Sequence, residues 1–273
     1  MTLLSGTRPS AATPRRSRRR AVAPGPSRAL VSGIAIAAAL VSWWLFARVI
    51  DDSVVPGPVD VGARVAEIVI SGDAAVNFAS SIGKILAGFG IALILGIPIG
   101  FAMGRSRFLT GYFSLPLFLL GNLPGLVYAV FGLVVFGVGA TGPIVVSALV
   151  SIPFVALNVS EGVRSVDGAL LAMCRAFGRT PAQVARHLYV PALTGFVFTG
   201  IRYGFAMAWK VEALTEVFGA RDGVGFMIRR AYQEFDVVGM LAWTALFVIT
   251  MVLIERGLGL AERRLFAWRK DLR

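Results

Sequence analysis

The sequence contains little of what a soluble enzyme uses for catalysis. It has a single cysteine, Cys174, and a single histidine, His187, in 273 residues. One cysteine excludes an internal disulfide, and one cysteine with one histidine cannot form a metal cluster or a Cys-His nucleophile pair within the chain. The phosphate-binding pattern Gly-x-x-x-x-Gly-Lys-Ser/Thr is also missing, because Gly83-Lys84 is followed by Ile85. We therefore expect a non-enzyme that needs no metal or cofactor and does not itself hydrolyse ATP by that route.

Charged residues are scarce as well, at 15%, whereas hydrophobic residues make up 56% of the chain. Apolar runs of about 18 residues or more are long enough to cross a bilayer as helices. These runs are continuous, as suits helices that satisfy their own backbone hydrogen bonds in lipid, and they lack the alternation of barrel strands. The sequence predicts an all-α integral membrane domain over residues 29–273. The six predicted spans are about 29–47, 85–103, 112–135, 141–158, 192–209 and 237–254.

The formal net charge of +12 is unevenly distributed between the segments that connect these spans. One set of segments holds most of the Lys and Arg residues: 1–28, 104–107, 159–191 and 255–273. Acidic residues outnumber basic ones in the other set, 48–84 and 210–236. Because Lys and Arg resist translocation, the basic set is predicted to be cytoplasmic, with both termini. The charge is therefore interpreted as topology and not as a nucleic-acid surface.

The first apolar run is predicted to be a retained helix and not a cleaved signal. Bulky Trp43, Trp44 and Phe46 stand at its end, where a signal peptide would carry small residues. The preceding tail, residues 1–28, is rich in Arg and Pro and has no acid, so we predict that it is disordered. We expect this basic cytoplasmic tail to orient the chain and to be attracted to anionic membrane lipid.

Small residues recur every four positions in the second span. Such spacing makes a flat ridge on one helix face, which lets another backbone approach closely. The ridge is predicted to be a helix-packing surface, either within the chain or against another protomer. Its members are Gly88, Ala92, Gly96, Gly100 and Gly104.

The third span is interrupted by the stretch GNLPGLVY, residues 121–128. Proline removes a helical hydrogen bond, and such breaks survive in membranes mainly where protein or a water-filled cavity surrounds them. Either the break lines a pathway, with Asn122 and Tyr128 as candidate residues, or it is an ordinary kink.

A polar island, residues 161–190, separates the fourth and fifth spans. Val166, Leu170, Met173 and Phe177 follow helical spacing and form one apolar face. A helix-turn-helix is predicted: Gly178 suits the end of the first helix, Thr180 and Pro181 open the second, and Pro191 ends it. Three functions fit such a segment: a docking surface for a cytoplasmic partner, which we favour, a solvated loop, and a DNA-binding motif. Both ends enter membrane spans, which disfavours DNA.

The end of this island carries a recognisable spacing. Gly178 is followed by nine residues and then by Leu188, Tyr189, Val190 and Pro191. This pattern resembles the cytoplasmic motif of permease subunits of bacterial ATP-binding-cassette (ABC) importers, Glu-Ala-Ala, three residues, Gly, nine residues, Ile-x-Leu-Pro. The Glu-Ala-Ala positions fall on Ala172, Met173 and Cys174, so the glutamate is absent here.

The resemblance covers most of residues 54–273 and is closest to the branch that imports nitrate, bicarbonate, taurine and other sulfonates. The segments EGVRSVD at 161–167 and GIRYGFAMAWKVEALTEVFGARDGVGFMI at 200–228 carry it, although Gly121-Asn122 replaces an Arg that the branch usually shows. It implies a type I importer-like fold in the bacterial inner membrane and the path for a small, anionic solute. It also implies three partners: ABC ATPase subunits beneath, a solute-binding protein outside and a second copy of the permease.

Charged groups within and after the fifth span are the candidate pathway and gate residues. Lys210, Glu212 and Glu216 are costly in hydrocarbon unless they are paired or face water. Lys210 is expected to offset one of the two glutamates. Alternatively, these residues simply reach the outer interface. Trp209 is a weaker pathway candidate, and the resemblance places Gly223 and Gly225 near an outer gate.

A self-sufficient secondary transporter driven by an ion gradient is the alternative function. Such folds favour inverted repeats with discontinuous helices at matching positions. The sequence has one broken span and no clear internal repeat, so the importer permease is favoured. A membrane enzyme would need a paired catalytic constellation, which the chain lacks.

Overall fold

The computed structural model describes residues 28–50 and 55–265, and all regular structure in those ranges is helical. The predicted disordered tail therefore lies almost entirely outside the described residues. The helices are α1 (Arg28–Val49), α2 (Pro58–Ile70), α3 (Asp73–Arg105), α4 (Arg107–Asn122), α5 (Gly125–Phe136), α6 (Thr141–Arg164), α7 (Gly168–Ala176), α8 (Pro181–Val184), α9 (Val190–Gly219), α10 (Val224–Gln233) and α11 (Val237–Leu265).

Four helices in the described part of the chain are long and apolar enough to cross a membrane: α1, α3, α6 and α11. A fifth span results if the bent pair α4 and α5 is taken together. The predicted span 192–209 lies within α9, which has 30 residues but is not among these candidates. The all-α membrane architecture is confirmed, and the count of six spans stays a prediction.

Helices α3, α6 and α9 form the centre of the fold. The small-residue ridge of α3 lies directly against α6: Cβ atoms built at Gly88 and Gly100 would meet the α6 carbonyl oxygens of Ile144 and Ala156. Ala92, in the same row, is fully buried. The close approach of two backbones leaves no room for larger side chains, so the ridge is occupied within the chain.

We expect Gly100→Ala to destabilise the protein by about 1–3 kcal/mol, because the added methyl forces α3 away from α6. Gly90→Ala is the matched control, since a Cβ at Gly90 meets nothing within 4 Å. Thermal unfolding of both variants in the same detergent measures the difference. Equal melting temperatures would contradict the packing of the ridge against α6.

The third predicted span is broken in the structure. Helices α4 and α5 meet at an angle of 97° across Leu123 and Pro124. Leu123 is extended, with φ −64° and ψ 135°, because the proline ring disfavours helical backbone in the residue before it. The predicted interruption of the span 112–135 is therefore present, and its angle is much sharper than that of an ordinary kink.

Segments from each of the two predicted sets contact one another within the bundle. At one end, Arg105 donates to Tyr189 at 3.2 Å, and Arg164 donates to Thr110 at 2.7 Å. These contacts join the 104–107 turn to the 159–191 segment, both of which carry the predicted cytoplasmic charge. At the opposite end, α2 packs on α11 through Val61, Ile68 and Trp243.

The polar island forms two helices joined by a turn, with two differences from the sequence prediction. The first helix begins at Gly168 and not at Val166, because the Asp167 carboxylate accepts the Ala169 N–H at 2.8 Å and caps it. The turn has Gly178 at φ 64°, a left-handed conformation that favours glycine. Thr180 and Gln183 then form a reciprocal capping box at the start of α8.

The second difference concerns Pro191, which was expected to end the second helix. Instead α8 continues through a π-helical turn, Ala185–Tyr189, directly into α9, and Pro191 lies in the first turn of α9. The wider π turn accommodates a residue that has no N–H and whose ring would clash in a regular helix. Residues 181–219 therefore form one helical rod.

Candidate functional site

A buried ion pair joins α3 to α9. Lys84 Nζ lies 2.9 Å from Glu216 Oε1, and only 6% of the lysine side chain and none of the glutamate side chain are exposed. Ser81, one turn before Lys84, donates its hydroxyl to Glu216 at 2.8 Å. A buried charge pair is stable only when additional hydrogen bonds satisfy its remaining donors and acceptors, and this pair has such hydrogen bonds.

The same cluster holds the loop between α9 and α10, residues 220–223. The Gly225 N–H donates to Glu216 Oε2 and the Val224 N–H donates to Ser81 Oγ, each at 2.9 Å. Lys84 also donates to the Asp222 carbonyl at 2.9 Å and pairs with its carboxylate at 2.6 Å. The 220–223 loop is thus tied to α3 through Asp222, and the first turn of α10 is tied to α3 and α9 through its backbone.

Two glycines leave the space that the contacts between the 220–223 loop and Glu216 require. Gly223 has φ 102°, in the region that favours glycine, and any Cβ there would overlap the Glu216 carboxylate. A Cβ at Gly225 would overlap the Ala213 carbonyl of α9. Asp222, which is exposed, has its pKa lowered by its hydrogen bond with Lys84.

Glu212 and Trp209 of α9 lie in the packed interior, where Glu212 contacts α6 and Trp209 contacts α11. Glu212 accepts a hydrogen bond from Ser147 Oγ at 2.6 Å and is fully buried. Trp209 is also fully buried and stacks on Phe247 at 4.7 Å between ring centroids. Glu212 Oε1 and Trp209 Nε1 have no hydrogen-bond partner among the described residues. Both side chains lie inside the protomer.

The cation beside the glutamates is Lys84 and not Lys210. Lys210 is exposed, whereas Glu212 and Glu216 point into the bundle. The expectation that Lys210 offsets a glutamate is therefore wrong, because consecutive charged positions on α9 face different directions. The signal for Lys84 was in the sequence: it is a lone charge at the start of the long apolar run of α3, where an ionisable residue needs a partner.

The remaining pathway candidates lie near the break in the third span. Tyr128 is buried and donates its hydroxyl to the Leu120 carbonyl, across the junction of α4 and α5. Asn122 is exposed and lines a cavity of about 650 Å³ between α4 and α6, beside Gly121, Pro153 and Phe154. Asn122 therefore lies in this groove, whereas Tyr128 is buried and connects α5 to α4 through its hydrogen bond.

The apolar side chains of α7 are exposed at the other end of the molecule. Leu170, Met173 and Phe177 expose 42%, 50% and 76% of their surfaces. Leu170 and Met173 line a groove of about 330 Å³ whose other wall includes Val184 and Leu188. Pro181 lies on the rim of a neighbouring cavity of about 400 Å³. An open apolar helix face beside a groove is the geometry that a partner's surface can fill.

Together these features define a helical membrane subunit with an ion-paired loop at one end and an open apolar helix face at the other. The chain belongs to the family described as binding-protein-dependent transport system inner membrane component, which matches residues 92–266. That range includes the polar island, the broken span and the Glu216 region. The expected resemblance to importer permeases is confirmed.

Three relatives whose names give a substrate come from the predicted branch. The taurine transport system permease protein of Escherichia coli K12 is 29% identical over 246 residues, covering 87% of this chain and 89% of the relative. The putative aliphatic sulfonates transport permease protein of Bacillus subtilis is 27% identical over 252 residues, covering 91% of each chain. The bicarbonate transport system permease protein of Synechococcus elongatus is 27% identical, covering 69% of this chain and 66% of the relative.

Solved structures support the fold. An inward facing structure of the MetNI methionine ABC transporter matches with a TM-score of 0.59 at 20% identity, covering 68% of this chain and 92% of that chain. An amino acid ABC transporter matches with a TM-score of 0.58, also at 20% identity, covering 73% and 97%. At this level of identity the likeness concerns the arrangement of helices alone.

Proposed function

We propose that the protein is the permease subunit of an ATP-driven importer and forms the path for a small, anionic solute brought by an external binding protein. The observation that carries the proposal is the family match over residues 92–266. Taurine, aliphatic sulfonates and bicarbonate are the substrates in the names of three relatives, and all are small and anionic or zwitterionic. Nitrate belongs to the same chemical class. ATP hydrolysis is assigned to separate ATPase subunits.

The α7 face is proposed as the ATPase docking surface. Its exposed apolar side chains match a helix-in-groove contact, and burial of apolar area would supply the affinity. The position of the family's motif glutamate is Ala172, which is exposed. Docking is therefore expected to depend on apolar contacts and not on a charge at that position.

The helical rod formed by residues 181–219 is the proposed transmission element. It begins beside the α7 face and carries Glu216 near its other end, next to the 220–223 loop. A stiff helix transmits a rigid-body movement over its whole length, whereas a loop at Pro191 would absorb it. Movement of the ATPases would thus reach the buried ion pair, and the tied loop would act as the outer gate in alternating access.

A second copy of the chain is proposed to complete the path. The cavity that contains Asn122 is lined by α4 and α6, and helices α4 and α5 expose a large apolar surface. That surface includes Leu115, Phe118, Leu126, Val130 and Val134. Large exposed apolar surfaces in a membrane domain suit either lipid or another subunit, and the groove beside α4 favours the subunit. The proposed location is the bacterial inner membrane, with both termini cytoplasmic.

Gentle purification of the tagged chain at native expression, followed by identification of each co-purifying protein and native mass measurement, tests this assembly. We expect two copies of the chain with two copies of an ATPase that carries a phosphate-binding loop. Recovery of the chain without any ATPase, from membranes where it supports uptake, would contradict the proposal and favour the secondary transporter.

A further inference from the structure

The final helix leaves the membrane at a definite point. Residues 237–254 of α11 contain no charged side chain, and about 18 residues of helix span about 27 Å, close to the thickness of the hydrocarbon. Charges begin immediately afterwards, with Glu255 and Arg256, and return at Glu262 and Arg263. The stretch 255–264 is therefore at the level of the lipid headgroups.

The two acids of this stretch are engaged by α9. Arg202 lies 3.1 Å from a Glu255 carboxylate oxygen and 3.5 Å from a Glu262 oxygen. Arg256 and Arg263 are both exposed, and within the described residues neither has a carboxylate at ion-pair distance. They are seven positions apart, so they lie two turns apart on the same face of α11. Within the described part of the chain, these two guanidinium groups therefore have no carboxylate partner at the headgroup level.

These two arginines flank a cavity of about 420 Å³ on the outer surface of the bundle. Arg202, Val252, Glu255, Gly259 and Leu260 complete the lining, and the Glu255 carboxylate is the one paired with Arg202. A Cβ built at Gly259 meets nothing within 4 Å, so the cavity has open space over the helix backbone. Exposed Val252 and Leu260, with Leu253 beside them at 63% exposure, continue the surface as an apolar stripe.

We propose that this cavity binds the phosphate of an anionic membrane phospholipid. Guanidinium groups match phosphate oxygens in charge and in bidentate geometry, and arginines at the interface attract anionic headgroups. The apolar stripe accommodates the start of an acyl chain, which a free inorganic anion would leave uncovered. The ligand would pin α9 to α11 at the point where Arg202 already joins them.

The first experiment fills the cavity without changing any charge. The full-length protein is purified in detergent, and its melting temperature is measured with added phosphatidylglycerol or phosphatidylcholine. We expect phosphatidylglycerol to raise it by several degrees more than phosphatidylcholine. Gly259→Leu is expected to abolish that difference, whereas Gly257→Leu should keep it, because Gly257 is equally unobstructed but does not line the cavity. Equal behaviour of the two variants would overturn the proposal.

The second experiment removes charge and distinguishes the two sources of phosphate. Retention of phosphatidylglycerol is measured by native mass spectrometry for Arg256→Gln/Arg263→Gln and for Arg264→Gln, whose position is outside the cavity. We expect at least a tenfold loss of affinity for the double variant and less than twofold for the control. Inorganic phosphate at the same concentration should neither stabilise the protein nor displace the lipid. Stabilisation by phosphate alone, or equal loss in both variants, would overturn a lipid site.

Discussion

Replacing Lys84 with methionine is expected to destabilise the protein by about 3–5 kcal/mol, because it leaves the Glu216 carboxylate buried without its cation. The change also removes the contacts of Lys84 with the Asp222 carbonyl and carboxylate, so the 220–223 loop loses one of its attachments to α3. Substrate uptake should fall at least tenfold if this loop is the outer gate. Thermal unfolding in detergent and uptake by whole cells measure the two effects.

Two further variants test whether the loss of stability comes from breaking the ion pair or from any substitution in this region. Lys210→Met removes an exposed lysine from α9 and should change stability by less than about 0.5 kcal/mol. The double variant Lys84→Met/Glu216→Gln removes both charges, so it should recover most of the lost stability. If Lys84→Met melts like the parent protein, or the double variant is less stable than Lys84→Met, then the buried pair does not hold the loop.

Phe177→Asp is expected to release the ATPase while leaving the permease folded. The side chain is 76% exposed in the single chain, so the substitution costs little folding free energy, whereas an aspartate in an apolar groove would be desolvated without a partner. We expect at least a tenfold loss of co-purifying ATPase and a corresponding loss of uptake. The melting temperature of the permease alone should stay within a few degrees of the parent value.

Phe235→Asp is the matched control, because Phe235 is an 89% exposed phenylalanine in the turn between α10 and α11, beyond the 220–223 loop. It should retain the ATPase in full. Full retention of ATPase by Phe177→Asp, or equal release by both variants, would show that the α7 face is not the docking surface. Leu170→Asp extends the test to the groove beside α7.

Much of the fold was predictable because it depends on local patterns. Continuous apolar runs predict helices, and the spacing of Thr180 and Gln183 predicts the capping box that the structure contains. The four-residue spacing of Gly88 to Gly104 predicts a close helix contact, although the sequence left open which helix would fill it. Contacts between residues within one helical turn can be predicted from sequence, because the geometry of the helix fixes which positions lie next to each other.

The parts that were missed depend on contacts between distant segments. Lys84 and Glu216 are separated by 132 positions, so nothing local indicates that they pair, and Lys210 was nearer in sequence but on another helix face. The continuity of the rod through Pro191 was missed because a π turn has no clear sequence signature. The 97° angle between α4 and α5 could not be predicted either, because a proline indicates an interruption and not its angle.

Uptake in proteoliposomes tests the central claim, that this chain moves solute only when an ATPase drives it. The co-purified assembly is reconstituted with the external binding protein and radiolabelled taurine, an alkanesulfonate, bicarbonate or nitrate, with ATP inside the liposomes or with an ion gradient and no ATP. The account predicts uptake of at least one of these solutes that requires ATP and is lost in the Phe177→Asp variant. Uptake driven by the ion gradient alone, by liposomes that contain only this chain, would contradict it.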